Sequence, residues 1–374
     1  MLASREMQRS KLKFGLLSGA VGLLIFLVFF QQTLLGSLLQ GFTGAIEHQS
    51  AQVLVFGADA RKSLDASFVS ADTVAQVAAV DGVAQAAPLG EATITMVAAG
   101  ETIDVAVFGV DPSGAGAPTK VVSGRLPEQP GEGVASSEDV SKGLAIGDVV
   151  RTATGDAPVV IVGLTDQSQF NVQPTVFVPF ETYTTLRKAA NPEATTISPS
   201  AVAVVVADGA RARDVADRID AQVPGVQALT RSEAVDNAPG VSSVQISFGL
   251  ILALAIAVVA LVTGFFFLIL TVQKAQALTL LRAIGAPAGY LVRSLLQQVA
   301  VVLAVALVVA LLLTIGAVAG SGTGLSLTID PKALLTSGAI IVALSLIGSL
   351  AAIWRVLRID PIQAVTRQNL GGVG

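Results

Sequence analysis

The chain has 374 residues, 52% of them hydrophobic and only 13% charged, with a mean hydropathy of +0.72. That is too apolar for an ordinary soluble protein and too polar in its middle for one wholly embedded in lipid. It has no cysteine, which excludes structural disulfides and thiolate metal sites.

The N-terminal residues 1–13 scatter Met7 and Leu12 among cations. They read either as a short amphipathic helix on the inner leaflet or as a frayed basic tail. Phe14–Ile46 then carries no charge, and a bilayer needs roughly 20 apolar residues to be crossed. Its apolar region is too long for a signal peptide and offers no tidy small-x-small cleavage site. Residues 14–43 are therefore expected to form a first transmembrane helix with a stalk. As one helix, Phe14 to His48 would extend roughly 50 Å, about 20 Å more than the hydrocarbon needs.

Residues 44–240 are expected to form an extracytoplasmic α+β domain of two lobes. "AQVLVFG" is strand-like, and Ser70–Val83 has a helical apolar period that ends at Gly82. Ala92–Val110 reads as two strands around a glycine turn. A short helix and two strands follow in "EDVSKGLAIGDVVRTATGDAPVVIVGLT", and "PTVFVPFETYTTLRK" adds a strand and a helix. Ala201–Asp208, Ala210–Val223 and "VQALTRSEAV" complete a strand–helix–strand unit. Residues 112–134 and 189–200 are expected to be loops.

A second stalk and span cover 241–272, a cytoplasmic coupling helix 273–293, a third span 294–318, an external loop 319–332, a fourth span 333–356 and a tail 357–374. The fold class expected is thus a polytopic α-helical membrane protein with four transmembrane helices and an α+β extracytoplasmic domain inserted between helices 1 and 2. Small residues crowd the last two spans, as in "SGAIIVALSLIGSL", and allow close approach of helix backbones within one subunit or between two.

Charge orients the chain. The basic flanks hold Arg5, Arg9, Lys11, Lys13, Lys274, Arg282, Arg293, Arg355, Arg358 and Arg367 against only Glu6 and Asp360, whereas residues 44–240 hold 12 Lys/Arg and 24 Asp/Glu. The positive-inside rule puts both termini in the cytoplasm, and the inserted domain outside.

Enzymatic chemistry has little support. No G-x-x-x-x-G-K-[ST] loop occurs, so any ATP must be bound by another subunit. His48 is the only histidine, which leaves neither a Ser-His-Asp triad away from the membrane stalk nor a histidine zinc site. The external carboxylates read as an ordinary solvated surface. No nucleic-acid partner and no bound cofactor or metal is expected.

His48, beside Glu47, has two readings: an interfacial residue paired with Glu47 or a backbone carbonyl, or a ligand for a metal, a metalloporphyrin or a proton. The "FFQQ" run of Phe29, Phe30, Gln31 and Gln32 is either lipid-facing aromatics with interfacial amides or, with Phe42, a substrate seam at outer-leaflet depth. Uncharged amides there can bond an amphiphile without the cost of a buried charge.

Between the second and third spans, Leu278, Leu281 and Ile284 fall at i, i+3 and i+6, with Arg282 beside them, and Gly285 and Pro287 end the segment. This is either a short docking helix for a partner's groove or a plain helical hairpin. "LRAIGAP" resembles the "LRAIGAS"-type motif of the MacB/FtsX-like permeases of ABC transporters. "WRVLRIDPIQAV" after the last span is similar to that family's "R-x-x-P-x-x-A-L" ending, and the layout of one span, a large external domain and three spans is similar as well. The charged run that usually precedes the first motif is replaced here by "VQKAQALTL".

The resemblance implies a permease of the type VII, mechanotransmission class, paired with a second permease copy, here expected to be a homodimer, and with two copies of a cytoplasmic ABC ATPase that uses the ATP. It makes Leu278, Leu281, Arg282, Gly285 and Pro287 ATPase-coupling residues, with Arg358, Asp360 and Pro361 supporting the junction. The compact layout is similar to the family's heme-efflux branch, so heme is the first expected substrate. Phe29, Phe30, Gln31, Phe42, Glu47 and His48 are the candidate substrate-binding residues. The other class the resemblance allows is an FtsX-like signalling protein that controls an extracellular hydrolase or sensor without transport.

Overall fold

The computed structural model describes residues 11–194, 196–273, 287–320 and 327–357. The chain divides into two compact units, Met1–Gly36 with Ile246–Gly374, and Ser37–Gln245. Helix α1 (Lys11–Glu47) runs unbroken through 37 residues, about 55 Å at 1.5 Å per residue.

The external domain follows. Strand β1 (Val53–Gly57) leads to α2 (Ala71–Ala78), whose N-cap Ser70 accepts the Thr73 N–H as a first-turn donor requires. Next come β2 (Val83–Ala98), β3 (Glu101–Val110), β4 (Val121–Gly124), β5 (Glu132–Ser136), β6 (Val149–Thr152), β7 (Pro158–Thr165) and β8 (Thr175–Pro179). Helix α3 (Phe180–Ala190), β9 (Ala201–Val206), α4 (Ala212–Gln222), β10 (Val226–Thr230) and α5 (Arg231–Asp236) complete the domain. Two of these strands correct an expectation, because β4 and the start of β5 lie within 112–134. Arg125 forms a two-pronged ion pair with Glu132 there, and β4 pairs antiparallel with β7.

The strands form one sheet in the order β10-β1-β9-β2-β3-β8-β5-β7-β4, with β6 paired to β2 and β7. Strand β2 serves both halves: Val83–Leu89 pairs with β9 and Gly90–Ala98 with β3. One half buries Val53, Val55, Val202 and Val204 against Val77 of α2 and Val215 and Ile219 of α4. The other buries Ile94, Val107, Ile161 and Val176 with Tyr183 and Leu186 of α3.

After α5 come three more long helices, α6 (Val241–Gln273), α7 (Ala288–Gly320) and α8 (Pro331–Leu357). With α1 they make, among the described residues, four helices long and apolar enough to cross a membrane. A helix satisfies its own backbone, which lipid cannot do. Pro331 opens α8 just after Asp330, whose side chain accepts the Lys332 N–H at 2.9 Å, and proline suits a first helical position. The four helices share a core containing Val21, Ile25 and Val28 of α1, Val259 of α6, Val302 and Ala306 of α7, and Ile341 of α8. Buried hydroxyls turn inward: Thr263 and Thr314 donate to the carbonyls four residues earlier at 2.7 and 2.8 Å. Small residues mark close approaches, since a Cβ on Gly264 would meet the Gly348 backbone at 3.8 Å. Leu16, Leu23 and Leu27 of α1 and Leu250, Leu254 and Leu261 of α6 stay exposed, as lipid-facing side chains do.

Candidate functional site: the socket of helix α1

Helix α1 is held by one side-chain amide in the membrane unit and by backbone hydrogen bonds in the external domain. In the membrane unit, Gln31 donates its side-chain amide to the Phe248 carbonyl of α6 at 3.1 Å. Phe29 is 4% exposed and packs beside Gly338 of α8. Phe29 is therefore a core residue, which corrects the lipid-facing reading. Phe30 is half-buried, with its ring 5.8 Å from that of Phe26.

In the external domain, the last turns of α1 meet the segment between β7 and β8. Val172 N–H donates to the Gly41 carbonyl at 2.8 Å and Asn171 N–H to the Phe42 carbonyl at 3.2 Å. The Ala45 N–H in turn donates to the Gln169 carbonyl at 3.0 Å. Gly44 lies so close to the Gln167 carbonyl that a Cβ could not fit. The chain leaves α1 under equal control: Thr119 donates to the His48 carbonyl through both its N–H and its hydroxyl, each at 2.9 Å. Arg231, at the start of α5, donates to the Gln49 carbonyl at 2.7 Å. The segment that leads into α6 is thereby tied to the point where α1 ends.

The gripping segment is itself strained and anchored. Gln167, Asn171 and Val172 have φ of 55, 51 and 58°, and a β-branched residue such as Val172 is a genuine outlier there. Each such residue costs about 1–3 kcal/mol and persists only where its surroundings dictate it. The anchor is Asp139, with no exposed surface. Its carboxylate accepts from Gln169 Nε2 at 2.7 Å, from Thr175 N–H at 3.2 Å and from Lys142 Nζ at 3.0 Å. Burial raises the Asp139 pKa, and Lys142, Gln169 and Thr175 oppose that rise. Glu138 adds a bond to the Gln167 N–H at 3.0 Å. The expectation that the external carboxylates are a solvated surface is corrected at Asp139 and at Glu91, which is 5% exposed.

The expected site residues fall into two groups on α1. Phe29, Phe30 and Gln31 belong to the membrane unit, and Phe42, Glu47 and His48 to the external one. Phe42 is half-buried and Glu47 exposed. The His48 Nδ1 lies 3.2 Å from the Gly44 carbonyl, the backbone pairing that one reading foresees. A carbonyl only accepts, so Nδ1 carries a proton, and in the neutral tautomer Nε2 is the nitrogen with the free lone pair. Of the coupling residues, Leu278, Leu281, Arg282 and Gly285 lie outside the described residues, as do Arg358, Asp360 and Pro361. Pro287 is exposed immediately before α7.

Four membrane-length helices with an α+β domain inserted after the first define a polytopic membrane protein of a particular layout. Residues 16–222 match the MacB-like periplasmic core domain, and residues 249–361 match the FtsX-like permease C-terminal region. The chain belongs to the MacB/FtsX-like family of ABC transporter permeases. It is 22% identical, over 66% of its length, to a putative hemin transport system permease protein HrtB of Staphylococcus haemolyticus, and the match spans 66% of that relative, just under two thirds. It is 27% identical to an uncharacterized ABC transporter permease of Mycobacterium tuberculosis over 78% of this chain and 77% of that one. Among solved structures, the periplasmic region of MacB from Actinobacillus actinomycetemcomitans aligns at 10% identity and a TM-score of 0.37, covering 50% of this chain and 92% of that one. The extracellular domain of YknZ from Gram-positive bacteria aligns at 17% identity and 0.34, covering 48% and 99%.

Proposed function

We propose that this chain is the membrane subunit of an exporter that moves a hydrophobic or amphipathic compound from the membrane outward. Heme is the first candidate, and a separate cytoplasmic ABC ATPase in two copies supplies the energy. A second permease copy completes a homodimer in the bacterial cell (inner) membrane, with both termini in the cytoplasm, an orientation that the basic flanks support. The observation that carries this reading is α1, uncharged from Phe14 through Ile46 and gripped at its external end by Gln167–Val172 and Thr119. A rod held this way passes displacement to the external domain instead of dissipating it in a loop. Leu278, Leu281, Arg282, Gly285 and Pro287 receive the ATPase stroke.

Two stations on α1 handle the cargo: Phe30 and Gln31, next to the core residue Phe29, in the membrane unit, and Phe42, Glu47 and His48 in the external one. The name of the staphylococcal relative supports heme. So does His48, whose Nε2 lone pair is the atom that ligates a heme iron. The test is reconstitution with the ATPase in proteoliposomes loaded with heme. ATP-dependent loss of heme from the membrane is expected, abolished in an Arg282→Glu, Gly285→Leu variant that still folds. A heme absorption band in the purified chain should shift in His48→Ala. ATP hydrolysis without movement of heme or any lipid-soluble dye, together with activation of an external hydrolase, would replace transport by FtsX-like signalling.

A further inference from the structure

The external domain contains a cavity of about 270 Å³ lined by Asp65, Phe68, Glu91, Tyr183, Arg187 and Ser198, among others. It is built around one cross-strand pair. Gly90 of β2 and Gly109 of β3 are register partners, and a Cβ on either would collide with the Tyr183 ring. Those two bare positions let the ring lie against the sheet, where its hydroxyl donates to the Glu91 carbonyl at 3.0 Å. Ser200 pins the same residue, accepting the Glu91 N–H at 3.0 Å and donating to its carbonyl at 3.2 Å. The backbone of Glu91 is thus fully held. Its side chain is not: neither of its buried carboxyl oxygens accepts a hydrogen bond, and the buried Arg187 Nε donates none. Unpaired buried polar atoms are costly in a native structure and call for an explanation.

We propose that this cavity is a binding site for a single primary ammonium group, held between the carboxyls of Asp65 and Glu91. Charge balance carries the choice of ligand. With both acids ionised, Asp65, Glu91 and Arg187 sum to one negative charge, which one ammonium neutralises; its three N–H donors match the two open oxygens of Glu91 and the neighbouring Asp65. A divalent metal is poorly served, because the described residues gather no set of three His, Cys, Asp or Glu, and hard cations take six or more oxygens. An anion would face two carboxyls. Phe68, 70% exposed, offers an apolar platform at the rim for the carbon chain of the amine.

Binding should be coupled to a proton. Burial first, then a side-chain hydrogen bond from protonated Glu91 to Asp65 and the Asp65 charge, push the Glu91 pKa up to about 9, with Arg187 opposing. The empty cavity therefore holds a proton on Glu91 at neutral pH, and an arriving ammonium displaces it. The other titratable group facing Glu91 is Tyr183, itself raised to about 12 by burial and so neutral throughout. This site is independent of what the membrane helices carry.

The test is calorimetric titration of the full-length protein in detergent at pH 7, in two buffers of different ionisation enthalpy. 1-Aminobutane stands for a free amine and Nα-acetyl-L-lysine methylamide for a lysine side chain of a protein. Saturable binding with release of close to one proton per site is expected. Glu91→Gln should remove the proton release, and Asp65→Asn, at an exposed residue, should weaken binding at least tenfold with the fold intact. Binding of both compounds assigns a free amine, and binding of the lysine derivative alone assigns a protein lysine. No saturable heat with either, binding to wild type without proton release, or wild-type affinity in Asp65→Asn overturns the proposal.

Discussion

Gly44, in the last turn of α1, faces the backbone carbonyl of Gln167 across a gap that leaves no room for a Cβ. Gln167 cannot swing aside as a side chain could, because its N–H is bonded to Glu138 at 3.0 Å and the adjoining Ser168 N–H to Ser136 at 3.3 Å. Gly44→Ala should destabilise the protein by about 1–3 kcal/mol through overpacking, although alanine is the better helix former by about 1 kcal/mol. Thermal unfolding of the purified protein measures the loss. Faster hydrogen exchange at Ala45, Asn171 and Val172 should locate it in the socket.

Asp139 sustains that socket from behind. Asp139→Ala strands Gln169 Nε2, the Thr175 N–H and the Lys142 ammonium without their shared acceptor. Removing one partner from a buried charged network costs about 3–5 kcal/mol, so chemical denaturation should show a loss of that order. Asp139→Asn retains an acceptor and should lose less.

Gln31 is bonded across the membrane unit to the Phe248 carbonyl. Interhelical hydrogen bonds in lipid are worth about 0.6 kcal/mol on average, so Gln31→Leu should change stability by less than about 1 kcal/mol. A fall in transport well beyond that small effect would mark Gln31 as a substrate contact. A proportionate fall would leave it a clasp between α1 and α6.

Glu91 makes stability fall as pH rises. Its folded pKa of about 9 lies above the ordinary 4.5, so between those values the folded chain holds a proton that the unfolded chain has lost. The contribution is fully present below pH 4.5 and declines as pH rises through 9. The melting temperature should drop across pH 5–9 in wild type, and the slope should flatten in Glu91→Gln. A slope equal in both proteins would show that Glu91 is ionised in the folded state.

The membrane spans were legible because lipid imposes one requirement, long runs without charge, which needs no knowledge of the partner helix. The unbroken α1 was legible for the same reason. Its socket was not. The contacts that hold Gly44 and Ala45 come from Gln167 and Gln169, over a hundred residues away, and "GFTGAIE" carries no mark of them. Strand β4 was missed because Pro127, Pro130 and nearby glycines punctuate a segment whose strands are short and paired with distant partners. Glu91 and Asp139 looked like surface acids, since a single carboxylate reads the same in sequence whether it faces water or a cavity. What betrays Glu91 is the Gly90–Gly109 pairing beneath Tyr183, which exists only once the β2–β3 register is known.

The most direct test of the proposed function compares ATP hydrolysis and heme efflux in proteoliposomes that hold the chain with its proposed ATPase, for wild type and Gly44→Val. If α1 carries force to the external domain through its socket, the variant should hydrolyse ATP at close to the wild-type rate while efflux falls at least tenfold. Efflux that continues undiminished, with the Gln167–Val172 socket shown by hydrogen exchange to be open, would mean that the stroke reaches the outside by another route.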